Sequence, residues 1–96
     1  DIPRNTFIKA VNAEGASIGV GAHGQPIYQQ PLFQSMHASH GKPMDYTQVS
    51  CPEAERIYQT EALSISQRCF LGEREDMDLI LEAIRKVRTN IDELRN

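Results

Sequence analysis

His37-Ala-Ser-His40 sets two imidazoles three residues apart, with Asp45 and Cys51 following downstream. Imidazole, carboxylate and thiolate are the ligands zinc prefers, and the ion needs four of them, or three and a water, held firmly. The spacing matches neither a zinc finger nor a metalloprotease helix. The surrounding "HASHGKP" is polar and punctuated by glycine and proline, which favours a solvated loop over a ligand cage. A small metal-dependent hydrolase using His37 and His40 is therefore the weakest of the functional readings.

Nucleophilic chemistry has no better local support. Cys51 stands at a predicted helix start, where a thiol pKa falls, but a plain capping role is the better reading. No Gly-x-Ser-x-Gly elbow is present, and nothing marks Cys69 as activated. "GVGAHG" lacks the Gly-Lys-Ser/Thr ending of a phosphate loop and misses the dinucleotide spacing. Of the three lysines, Lys9 and Lys86 fall on amphipathic helices and Lys42 in a polar loop.

The segment His23–Phe33 is different. His23, Gln25 and Tyr28 offer hydrogen bonds and a flat apolar face, the mixture a polyhydroxylated ligand requires. Two readings stand level here. Either these three residues face a ligand or a neighbouring domain, or the segment is a connection whose Tyr28, Leu32 and Phe33 plug the domain's own core.

The elements that must position this loop follow from periodicity. Residues 3–14 form a helix opened by Pro3, striped by Phe7, Ala10 and Val11, and stopped by Gly15. "SIGVGA", 17–22, reads as a short strand. Pro26, Pro31 and Pro43 break any long element between His23 and Ser50, leaving mainly loop with a helical turn near 32–36. A second helix spans 51–61, capped by Ser50 or Cys51, opened by Pro52, with Ala54, Ile57 and Tyr58 inward. "ALSIS", 62–66, alternates as a strand. The last helix runs from Arg74 to about Leu94. Met77, Ile80, Leu81, Ile84, Val87, Ile91 and Leu94 form its stripe, and Glu82 and Lys86 an i, i+4 pair. That stripe is read as core, with a dimer contact conceivable near Ile91 and Leu94.

This order predicts one two-layer α/β (α+β) domain over 1–96, a short sheet packed by helices. Two short strands make a poor sheet. A further strand is wanted, and its natural place is just before Asp1. The chain opens "DIPRNTF", without Met, so a longer parent is expected.

Composition narrows the partners. Ninety-six residues can bury roughly 60–65% of their unfolded surface, enough for one thin core. A net charge of −3 without a basic patch argues against nucleic acid and anionic membranes. No run of about 18 apolar residues is present to span a bilayer. Two cysteines could form one bridge, but their low density fits a reducing, cytoplasmic setting.

Taken in order, three segments resemble the small C-terminal domain of the DegT/DnrJ/StrS family of PLP-dependent sugar aminotransferases. "FIKAVNAEGASIGVGAHGQPIYQQPLF" is similar to the family's helix, Glu-Gly, strand and Tyr/His–Pro loop, which ends in Pro-aliphatic-aromatic, here Pro31-Leu32-Phe33. "CPEAERIYQTEALSIS" resembles the Pro-x-Ala-Glu helix and strand that follow. "FLGEREDMDLILEAIRKV" resembles the terminal Asp-Met-x-x-Ile segment. The cyclitol and amino-sugar branch, including scyllo-inosose-type enzymes, is nearest.

The resemblance implies the small domain of a fold type I PLP-dependent transferase. Glutamate or glutamine would donate its amino group through PLP to a keto-sugar. It implies that the cofactor lysine, the aspartate under the pyridine nitrogen and the phosphate-binding groups lie in an N-terminal PLP-binding domain or partner chain. None of the three lysines has the family's context, so this chain alone is expected to hold no cofactor and to be inactive. His23 and Tyr28 match the positions of the loop that approaches the sugar, although the usual Tyr-Pro is replaced by His23-Gly24-Gln25-Pro26. A homodimer is implied as well. The rival from another class is a stand-alone binding or interaction module derived from such an enzyme. An exposed apolar patch would speak for a truncated domain, and polar replacements for an independent one.

Overall fold

A computed structural model describes residues 1–21, 24–35 and 45–95. Among the described residues the helices and strands are α1 (Arg4–Ala13), β1 (Ile18–Val20), α2 (Pro31–Ser35), α3 (Pro52–Arg56), β2 (Leu63–Ile65) and α4 (Arg74–Thr89). Three 3-10 turns cover Ile27–Gln29, Gln67–Phe70 and Ile91–Arg95, and a π turn covers Ile57–Glu61. The result is a helix-dominated α+β domain with one antiparallel sheet of two strands, in the register Ile18↔Ile65, Gly19↔Ser64, Val20↔Leu63.

Local chemistry explains the boundaries. α1 ends at Glu14 because Gly15 follows in the left-handed region (φ +99°), where a side chain would be strained. Its Asn12 turns back onto the next strand. The carboxamide oxygen accepts the Ile18 N–H at 2.8 Å and the amide nitrogen donates to the Ile18 C=O at 2.9 Å. α4 opens with Asp76 accepting the Glu73 N–H at 2.9 Å, which satisfies a donor the helix leaves over. It closes earlier than its apolar stripe suggests. Asn90 leaves the helical region and its side chain donates to the Lys86 C=O at 2.8 Å, so Ile91 and Leu94 sit on a separate 3-10 turn.

α3 runs straight into the π turn, where the Ala62 N–H reaches five residues back to the Ile57 C=O at 2.7 Å. Arg4 stabilises this wider turn from α1. Its guanidinium donates to the Tyr58 C=O at 2.7 Å and lies 3.4 Å from that of Ala62. The π geometry also brings Arg56 onto Glu61, five residues on, while the same guanidinium holds Glu53 at 2.9 Å. Gly21 lets strand and turn meet, because a Cβ there would lie 2.9 Å from the Ala62 Cβ.

The core is small. Val11 is fully buried, joined by Ala16, Ile18, Ala83 and Val87, with Phe7, Ile8, Ile65, Ile80, Ile84 and Leu94 packed around them. α1 and α4 thus cover the Ile18/Ile65 end of the sheet. Two expectations are corrected. Leu81 leaves the core stripe and is 46% exposed, because it lies about 100° around the helix from Ile80. Lys86 pairs with Glu14 of α1 at 2.6 Å rather than with Glu82, which ties the two core helices together.

The chain extends over 52 × 35 × 16 Å, with a radius of gyration of 17.9 Å. A compact domain of this length would measure roughly 13 Å. The thin dimension is one helix layer on one sheet, and large apolar side chains stay in the open, Leu71 at 76% exposure among them. No described helix is long and apolar enough to cross a membrane.

Candidate functional site

The loop after β1 is built on Pro26, which is buried, and the 3-10 turn Ile27–Gln29 that it opens. His23, the first of the three predicted site residues, lies outside the described residues. Gln25 is half-buried, and its amide donates to the Gln29 C=O at 3.1 Å, closing the turn on itself. Tyr28 is half-buried and reaches away from the turn to the start of α3.

There the phenol oxygen accepts the Cys51 N–H at 3.1 Å while its own proton goes to the Glu55 carboxylate. Neither Ser50 nor Cys51 supplies the side-chain cap that the sequence suggests. The Tyr28 hydroxyl, from 23 residues away, instead holds the N–H of Cys51 itself, the residue that precedes α3. Partial burial pushes the phenol pKa above its ordinary range, and the Glu55 carboxylate adds to the rise, because both disfavour a phenolate. The hydroxyl is thereby committed to anchoring the loop on α3. What Tyr28 can still offer a ligand is its ring.

The rest of the segment does not plug the core. Leu32 is 64% exposed, and Tyr28 and Phe33 are half-buried away from the buried cluster. Phe33 instead packs edge-on against Tyr46, with centroids 6.0 Å apart and planes at 82°. The loop is thus a small independent shelf, held by Tyr28 to α3 and by Phe33 to Tyr46, with Ile27 and Leu32 turned outward. Its sequence did not show Glu55 as a partner. As a first-turn acid, Glu55 reads as a dipole residue, and only the fold reveals that it holds a tyrosine.

His37, His40 and Lys42 lie outside the described residues. Among the described residues no three His, Cys, Asp or Glu side chains gather to hold a metal. Cys51 is an exposed free thiol; Cys69 is a half-buried one whose sulfur lies 3.8 Å from the Ser17 C=O. Asp45 accepts the Thr47 hydroxyl at 2.5 Å and the Thr47 N–H at 2.9 Å, and both bonds hold its pKa below the usual carboxylate value. Among the described residues no nucleophile and base stand together.

A cleft of about 520 Å³ lies elsewhere, between Gly15–Ser17, Arg68–Cys69 and the Asp76–Lys86 face of α4. None of the predicted site residues lines it. Its mixture of Arg68 and Lys86 with Glu14, Asp76 and Glu82 sets no single charge sign for a ligand.

Comparison with known proteins adds one consistent match. Over 100 residues the chain is 28% identical to a protein of Streptomyces kanamyceticus, provisionally assigned as an L-glutamine:3-amino-2,3-dideoxy-scyllo-inosose aminotransferase. A protein of Streptoalloteichus tenebrarius with the same assignment is 28% identical over 101 residues. The matches take in 97% and 98% of this chain, but only 24% of each relative. The chain therefore spans about a quarter of the length of the curated relatives it matches. No protein-family model matches it, and no solved structure does so significantly.

Proposed function

We propose that this chain is the small, substrate-side portion of a PLP-dependent aminotransferase of the DegT/DnrJ/StrS type, acting on a keto-sugar or keto-cyclitol. The observation that carries the reading is the end-to-end match to aminotransferases four times its length. The chain's own lysines support a cofactor site located elsewhere. Lys86 is engaged with Glu14 on an exposed helix face, and Lys9 is exposed on α1. Lys86 borders the cleft of about 520 Å³, but its side chain is 63% exposed and paired, and Lys9 lines none of the described clefts, so neither described lysine is desolvated as an imine requires. In this reading an N-terminal domain or partner chain supplies the cofactor lysine, an L-glutamine-type donor supplies nitrogen, and the assembly is a cytoplasmic homodimer.

The shelf of residues 23–33 is then the wall toward the sugar. The ring of Tyr28 and the amide of Gln25 serve as its surface, and His23, which lies outside the described residues, is the third sugar-facing group of this reading. Tyr28 and Glu55 contribute rigidity: the loop is fixed before any ligand arrives, which lowers the ordering cost of binding. The uncovered apolar side chains, Val20, Ile27, Leu63, Phe70 and Leu71 among them, favour a truncated domain over an independent interaction module.

The test is direct. The 96-residue chain is incubated with PLP, reduced with borohydride and mapped by mass spectrometry. No single lysine is expected to be modified stoichiometrically. The longer native polypeptide is expected to take the label at one lysine outside this segment and to aminate a keto-cyclitol from L-glutamine. Saturable labelling and turnover by the 96-residue chain itself would overturn the reading.

A further inference from the structure

The two strands differ in how their outer edges are satisfied. The Gly21 N–H donates to the Ala62 C=O at 3.1 Å, which fixes the phase of the antiparallel ladder. Gly19 and Ser64 turn their backbone groups toward each other. Residues 18, 20, 63 and 65 turn theirs outward. On β1 the outward groups of Ile18 are both taken by the Asn12 carboxamide, which stands where a neighbouring peptide would stand. The Val20 C=O accepts the Ser64 hydroxyl at 2.7 Å. On β2 the outward N–H and C=O of Leu63 and Ile65 meet no hydrogen-bonding partner among the described residues.

Edges left open in this way are normally blunted by charge, proline or a bulge. β2 reads Leu-Ser-Ile and has none of these. Ile65 packs against the core, while Leu63 at the other end is 44% exposed. Leu63 also borders a cleft of about 380 Å³ whose other walls include Asp1, Ile2 and Ile91. The start of the chain therefore lies beside the first residue of β2.

We propose that the outer edge of β2 seats a third strand, formed by polypeptide that leads directly into Asp1. Such a segment arrives beside Leu63, where β2 begins, so it runs antiparallel to β2 and parallel to β1. The sheet order becomes third strand–β2–β1, with α1 as the right-handed crossover between the two parallel strands. A second copy of the chain fits less well, because it would have to pass the segment entering at Asp1. The relatives run to about four times the matched length, and a covalently attached strand requires that part of the remainder precede the matched quarter. This inference shares with the proposed function the premise of a longer polypeptide, but nothing about its chemistry.

The test combines the intact mass of the native product with its hydrogen exchange, read residue by residue. In the native polypeptide the Leu63 and Ile65 amides are expected to be protected to the same degree as those of Gly19 and Ser64. In the 96-residue chain they are expected to exchange freely at every protein concentration. Free exchange at Leu63 and Ile65 in the native polypeptide would overturn the proposal, as would a native product that starts at Asp1. Protection in the 96-residue chain that rises with concentration would assign the edge to a second copy instead. An aminotransferase assay is not involved, so a longer polypeptide without transaminase activity would sink the proposed function and leave the strand standing.

Discussion

Replacing Asn12 by alanine isolates one side chain that acts as a piece of backbone. Asn12 sits in the last turn of α1 and is exposed, so by position alone its removal should be harmless. Alanine is the better helix former, and that preference would stabilise the variant by roughly 0.6 kcal/mol. Against this stand two hydrogen bonds, of 2.8 and 2.9 Å, to the N–H and C=O of buried Ile18. At roughly 1 kcal/mol each, their loss costs about 2 kcal/mol, and any desolvation of the orphaned groups adds to that. The net expectation is a destabilisation of about 1.5 kcal/mol. For a domain of this size that lowers Tm by roughly 6–12 °C. Urea melts followed by circular dichroism measure the free energy directly. Asn12→Asp keeps the acceptor for the Ile18 N–H but turns an oxygen toward the Ile18 C=O, so at neutral pH it should be no better than alanine. A stability of Asn12→Ala equal to or above the parent would refute the surrogate-strand role, because only the helix preference would then remain.

Other perturbations separate packing from local propensity. Gly21→Ala drives a Cβ to 2.9 Å from that of Ala62 and should cost about 1–3 kcal/mol, whereas Gly19→Ala, which meets nothing within 4 Å, should be nearly neutral in the same urea melts. Val11→Ala opens the fully buried centre of the core and should cost about 2 kcal/mol by calorimetry. Tyr28 has a folded pKa above the unfolded phenol value, so its contribution is complete below about pH 10 and is lost as pH rises through the folded pKa. Tyr28→Phe should abolish that alkaline loss of loop anchoring and speed exchange at the Cys51 amide at neutral pH; an unchanged Cys51 amide would detach the loop from α3.

The sequence made some of this fold readable for definite reasons. α1 and α4 carry helical stripes, and Gly15 stops α1 because no other residue takes φ +99° without strain. Ile18 and Ile65 alternate with small or polar residues, which marked both strands. What stayed hidden was set by partners distant in sequence. The π turn at Ile57–Glu61 depends on Arg4, more than fifty residues earlier. The anchoring of Tyr28 depends on Glu55 and on the N–H of Cys51, which no local pattern couples to residue 28. The early end of α4 lies at Asn90 (φ −103°, ψ 24°), whose side chain holds the Lys86 C=O, while the apolar stripe continues through Ile91 and Leu94 and gives no sign of the break.

The candidate site shows the same division between local and distant causes. Choosing residues for their hydrogen-bonding chemistry picked Tyr28, and the structure gives that hydroxyl to the protein's own backbone and carboxylate. Residue type alone does not tell a group that binds from a group that anchors, because a phenol does both with the same atoms. The distinction rests on where its partners lie. Here they lie on α3, so the loop is a prepared surface rather than a reactive one. Among the described residues of the shelf, what stays open to a ligand is the face of the Tyr28 ring, which is the feature the proposed role as a wall draws on.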